Sequence, residues 1–191
     1  IGDRALLDNT SGIENVGVGY IAMFENTSGD KNVALGSEAL RRNTTADYNT
    51  AVGAYALTFN TTGNNGVAIG YQALYTNTTA GNNIAVGYKC LYTNSTGSNN
   101  SAIGFQALYS NDTGADNVAF GRNTLYANTT GSYNTGTGKE SLYANTTGVR
   151  NTASGFKALY SNTTASYNTA VGYETLKDNT TGEQNTATGY Q

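Results

Sequence analysis

Glycine stands at Gly2, Gly19, Gly36, Gly53, Gly70, Gly87, Gly104, Gly121, Gly138, Gly155, Gly172 and Gly189, every seventeenth residue, with no insertion or deletion along the chain. A fixed period of this length leaves few folds open. Each repeat is one unit that cannot bury its apolar face until a neighbour stacks on it. Seventeen residues are too few for a helix pair or a crossover βαβ unit, but enough for two short strands joined by two tight turns. The expected fold is therefore all-β, a repetitive β-solenoid (a β-roll or β-helix) with seventeen residues per coil.

Aligned on the glycine, the repeats read G-Y-x-A-L-Y-x-N-T-T-G-x-x-N-T-A-V, almost undiluted over 70–86 and 155–171. The period covers 1–191 as one continuous repeat domain, with eleven coils counted from Gly2. Both ends fall in mid-repeat, as expected of an excerpt or of a protomer whose ends other subunits cover.

The stretch before each glycine reads as a strand. Val33-Ala34-Leu35, Val67-Ala68-Ile69, Ile84-Ala85-Val86 and Val118-Ala119-Phe120 alternate bulky residues with Ala, the period-2 pattern of a pleated surface. The Ala side must face something close, either the interior of the coil or a neighbouring chain. The second element, Y-x-A-L-Y, fits a second strand or a short helical turn. It carries the firmest apolar column, expected to be a continuous core ladder: Leu6, Met23, Leu40, Leu57, Leu74, Leu91, Leu108, Leu125, Leu142, Leu159 and Leu176. Each buried Leu contributes about 1.5–3 kcal/mol against about 1–2 kcal/mol of backbone entropy per ordered residue, so a lone coil is far from stable.

N-T-T-G and its variants supply the corners, because Asn and Thr bond nearby backbone groups and Gly accepts positive φ. Their asparagines are Asn9, Asn26, Asn43, Asn60, Asn77, Asn94, Asn111, Asn128, Asn145, Asn162 and Asn179, and a second Asn precedes most strands, with Gly66 as the exception. Asn at one place in successive coils predicts an amide ladder along the stack. The same N-T-T segments spell N-x-[ST], which makes the corner asparagines candidate N-glycosylation sites; sugars so close along one column would collide. Tyr75, Tyr92, Tyr109, Tyr126, Tyr143 and Tyr160 form an aromatic row, with Tyr71, Tyr88, Phe105, Phe156 and Tyr173 on a second, broken row. Such rows can stabilise the stack itself, form a subunit interface or stack on sugars.

Composition narrows function by exclusion. The chain has no His, no Pro, no Trp, 12% charged residues and a net charge of −3. It offers no basic stripe for nucleic acid, no apolar run long enough to insert in a membrane, and no triad or zinc set built on His. The carboxylates at Asp3, Asp30, Asp47, Asp112, Asp116, Glu140, Glu174 and Glu183 are scattered over several places of the repeat, so no catalytic site, metal site or cofactor is expected. Cys90, where most coils have Ala, reads as a small buried filler.

The string Val67-Ala68-Ile69-Gly70-Tyr71-Gln72-Ala73, with its relatives from Ile84 to Cys90 and from Ser101 to Ala107, resembles the head repeat of trimeric autotransporter adhesins of the YadA type. The full repeat is also similar to repeats of tail-fibre and surface proteins of phages and bacteria. The resemblance implies a left-handed parallel β-roll packed as a trimer, with the Ala-rich strand at the trimer interface. It further implies a structural fibre segment, without catalysis, on a cell or virion surface. The partner would be the chain itself, as a homotrimer or filament. The repeat here is longer than that of the adhesin heads. A glycan-binding module using the Tyr and Asn/Thr faces is the alternative. An ice-binding solenoid is disfavoured, because adjacent Thr residues of N-T-T point to opposite sides of a strand and give no T-x-T face.

Overall fold

The computed structural model describes residues 1–191 and contains no helix. One three-residue strand per coil forms the only sheet: Val16–Val18 (β1), Val33–Leu35 (β2), Thr50–Val52 (β3), Val67–Ile69 (β4), Ile84–Val86 (β5), Ser101–Ile103 (β6), Val118–Phe120 (β7), Thr135–Thr137 (β8), Thr152–Ser154 (β9), Thr169–Val171 (β10) and Thr186–Thr188 (β11). All pairs are parallel and neighbours in sequence are neighbours in the sheet. The register steps by one repeat at a time, as in Ala68↔Ala85 and Ala85↔Ala102. The chain is a β-solenoid, and at about 4.8 Å per coil it is roughly 50 Å long.

The middle residue of each strand points inward. Ala34, Ala51, Ala68, Ala85, Ala102, Ala119, Ala153 and Ala170 are fully buried, which assigns the Ala side to the coil interior and not to a neighbouring chain. Against it pack the Leu column, from Met23 to Leu159 at 0–1% exposure, and a second small-residue column that includes Ala73, Cys90 and Ala107. Leu6 and Leu176 close this core at its two ends, where they are partly buried. The interior is narrow because small residues line two of its sides. The flanking strand residues, such as Val67 and Ile69, face outward.

Y-x-A-L-Y is neither the second strand nor the helical turn that its sequence suggests. It is two tight turns in succession: in the seventh coil Ala107 N–H donates to Gly104 O (3.5 Å) and Asn111 N–H to Leu108 O (3.2 Å). Gln106 and Leu108 adopt φ of 52° and 51°, and the same two places are left-handed in every coil from Arg4 and Leu6 to Glu174 and Leu176. That conformation costs about 1–2 kcal/mol for a residue with a Cβ. What holds it is bonding between coils, where each peptide meets its own equivalent. Leu91 N–H donates to Ala107 O (3.0 Å), Leu108 N–H to Thr124 O (2.9 Å), and Gln106 N–H reaches back to Tyr88 O (3.0 Å). A segment with no strand is thus bonded to its neighbours as regularly as the sheet.

The invariant glycine follows from the same stacking. At Gly104, φ is 142° and a Cβ would lie 2.4 Å from the carbonyl oxygen of Gly121 in the next coil. The backbones pass too closely there for any side chain.

Replacing Leu108 by Ala opens a cavity in a core that has no other large side chain in that coil. The expected loss is about 2–5 kcal/mol, read as a lowered urea midpoint.

Candidate functional site

Two asparagine ladders run inside the solenoid. At the corner, Asn111 Nδ2 donates to Gly114 O of its own turn (2.9 Å) and to Asn94 Oδ1 of the previous coil (2.7 Å), while its Oδ1 accepts from Asn128 Nδ2 (2.7 Å). The pattern continues from Asn9–Asn26 to Asn162–Asn179. Asn26, Asn43, Asn60, Asn77, Asn94, Asn111, Asn128, Asn145 and Asn162 are 0–2% exposed. Both protons of each amide are committed, and a glycan would have to attach to that nitrogen. The reading of these asparagines as glycosylation sites therefore gives way to the ladder; Asn9 and Asn179 are the half-exposed end rungs of the same row.

The second ladder works differently. Asn49 N–H donates to Asn32 Oδ1 (2.9 Å), and Asn49 Nδ2 donates to Gly63 O in the following coil (3.0 Å). That carbonyl also accepts from Asn60 Nδ2 (2.9 Å), so the two ladders share acceptors. Gly66 interrupts the second row. Its N–H still bonds Asn49 Oδ1 (2.7 Å), but the side chain that would accept from Asn83 N–H and donate to Ala80 O is missing. A Cβ at this place would lie 2.9 Å from Asn49 Oδ1, the free end of a side chain that must shift slightly. With that adjustment Gly66→Asn is expected to complete the rung and raise stability by about 1 kcal/mol, from the added hydrogen bonds and the lost unfolded-state freedom. The measurement is the shift in denaturation midpoint.

The first threonine of most corners is also consumed by stacking. Thr44 Oγ1 donates to Thr61 O (3.0 Å) and Thr129 Oγ1 to Thr146 O (3.0 Å). The carbonyl of Thr129 collects three successive N–H groups of the preceding coil, from Asp112 (2.9 Å), Thr113 (3.1 Å) and Gly114 (3.3 Å).

The tyrosine row is a continuous column from Tyr75 to Tyr160, with centroids 5.1–5.3 Å apart and planes within 8° of parallel. Phe59 closes the first ring edge-on at 4.9 Å and 89°. Ring faces are thereby covered by other rings, and water meets mainly edges. That arrangement stabilises the stack by about 0.5–1.5 kcal/mol per contact and leaves no free faces within the column for sugars. Burial, then the neighbouring Tyr92, raises the Tyr75 phenol above its usual range. The second row stacks in pieces, Tyr71–Tyr88–Phe105 and Phe156–Tyr173–Tyr190. Lys89 lies between the rows, 5.6 Å from Tyr88 and 5.2 Å from Tyr92, and Lys157 is placed likewise over Phe156 and Tyr160.

The outward side of the sheet changes character along the stack. Over β1–β7 it presents mostly branched or aromatic residues, of which Val16, Val18, Leu35, Ile69, Ile84, Ile103 and Phe120 are exposed. Over β8–β11 it presents Thr135, Thr137, Thr152, Ser154, Thr169, Thr186 and Thr188, with Val171 the one apolar member. The residues at this face, not the Ala of the strand, are the ones available for contact with another molecule. Nothing in the sequence of a single coil shows which side of the strand that is.

No group of His, Cys, Asp and Glu is arranged to hold a metal ion. Cys90 is fully buried and its Sγ donates to Ala102 O (3.3 Å). Burial pushes the thiol up to about 12, whereas an unfolded thiol titrates near 8.5. Below the unfolded value the thiol is neutral in both states. Above it the unfolded chain loses its proton first, so this group lowers stability as pH rises from about 9 towards 12. The expected outcome is no reaction with a thiol reagent in the native state at pH 8 and full reaction after denaturation; native-state labelling would contradict the burial.

In comparisons with protein-family models, curated proteins and solved structures, nothing matches this chain.

Proposed function

We propose that this chain is a structural segment of an extracellular fibre, a stiff spacer that associates with copies of itself and performs no catalysis. The observation that carries the reading is the uniformity of the stack. Each coil repeats nearly the same peptide bonds, asparagine rungs and core residues, and little sets one coil apart. A catalytic or ligand site breaks such symmetry by gathering special side chains in one place, whereas a scaffold gains length and stiffness from repeating itself. The resemblance to adhesin-head and tail-fibre repeats supports a place on a cell or virion surface and a homo-oligomeric assembly.

The face over β1–β7 suits self-association. Seven coils at about 4.8 Å and two outward columns make a strip of roughly 400 Å², the size at which exposed apolar patches mark contact sites. Two such strips bury roughly 800 Å² together, about half of a standard interface, so the contact on its own is weak and reversible. Tyr71, Tyr88 and Phe105, two residues beyond the ends of β4, β5 and β6, are exposed as well.

The test is light scattering across a concentration series. The native chain is expected to gain mass with concentration, and Ile69→Asn combined with Ile103→Asn to reduce that association at least tenfold without changing the circular dichroism. A native chain that stays monomeric at all concentrations would overturn the self-association.

A further inference from the structure

A second surface lies beyond the apolar strip, where hydroxyls replace branched chains on β8–β11. The threonines of this protein differ in where their hydroxyls go. The first threonine of an N-T-T corner, such as Thr129 or Thr146, donates its hydroxyl to a carbonyl of the next coil. The second, as at Thr130, Thr147 and Thr164, lies singly at a corner without a protein acceptor, and only the strand threonines stand in a sheet lattice. The strand hydroxyls of Thr135, Thr137, Thr152, Ser154, Thr169, Thr186 and Thr188 donate to no protein group, and they stand on the outward side of a parallel sheet in strict register. Thr135-Gly136-Thr137, Thr152-Ala153-Ser154 and Thr186-Ala187-Thr188 are T-x-T or T-x-S strands, the motif absent from the N-T-T corners.

Their geometry is a two-dimensional lattice. Residues two apart on a strand are separated by about 6.6 Å, and equivalent residues on neighbouring coils by about 4.8 Å. These repeats are close to oxygen spacings on the faces of an ice crystal. The floor beneath them is held rigid by the buried Gly136, Ala153 and Ala170 and by the peptide bonds between strands. Each threonine adds a methyl group beside its hydroxyl, so water over this face is organised around the methyls and anchored at the hydroxyls.

We infer that the β8–β11 face is an ice-binding surface, on which the hydroxyl lattice holds a layer of water that merges with the growing crystal. The inference is separate from the proposed self-association, which uses the apolar residues of β1–β7. The free hydroxyls favour water over a dry protein contact, because burying them unpaired forfeits their hydrogen bonds to water.

The experiment uses the full chain in a nanolitre osmometer, with recrystallisation of polycrystalline ice as the second readout. The native protein is expected to show thermal hysteresis, faceted crystals and slowed recrystallisation. Thr152→Tyr and Thr169→Tyr, singly and together, are expected to abolish most of the hysteresis by lifting the crystal off the lattice. Thr164→Tyr, at an exposed corner on another side of the coil, is expected to retain it, with circular dichroism checking that all variants fold. Absence of hysteresis and of crystal shaping in the native chain would overturn the inference, as would equal activity in all the variants. Either negative result leaves the light-scattering test of self-association unaffected.

Discussion

Each peptide of a coil must find its equivalent in the coils above and below, and almost everything else in this structure follows from that requirement. It makes the backbone spacing uniform, so that Gly104 and its counterparts can carry no Cβ. It brings identical side chains into contact, which rewards residues that bind their own kind: Asn through complementary amide atoms, Tyr through stacked rings, Leu through packing. It also stabilises backbone that would otherwise be unfavourable. Leu108 and Gln106 keep left-handed φ because the flanking peptides are bonded on both sides of the stack.

The same requirement explains which features were legible in the sequence. The period, the all-β class, the Leu core and the corner asparagine ladder all follow from residues recurring in columns, and the structure places them as the columns imply. The conformation of Y-x-A-L-Y was not legible, because positive φ is ordinarily announced by Gly or Asn, and here it falls on Leu and on side chains as varied as Tyr55, Lys89 and Glu140. The energy that permits it comes from neighbouring coils and leaves no mark on the local sequence. The side to which Ala85 points is not legible for a similar reason, since a strand of three residues shows alternation but not which face is inside. The asparagine of N-T-T-G satisfies a sequon and a ladder equally well as a string of letters; only burial separates them.

The surfaces then carry what function the repeat permits. Interior positions are nearly invariant from coil to coil because each is bonded to itself, whereas outward strand positions are free to drift. They do so in blocks, from Val, Ile and Phe on β1–β7 to Thr and Ser on β8–β11. One interior thus supports two exterior chemistries along a single sheet. A uniform stack of this kind supplies stiffness, and its outward columns supply whatever contacts are made.

If turns and strands are held alike by bonding between coils, amide hydrogen exchange resolved by residue must register it. The amides of Leu91, Leu108 and Leu125 lie in segments without strand structure, yet each donates to a carbonyl of the next coil. These amides are expected to exchange as slowly as the strand amides of the same coils, with protection declining only towards the two ends of the stack. Rapid, loop-like exchange at these leucines beside protected strands would contradict it.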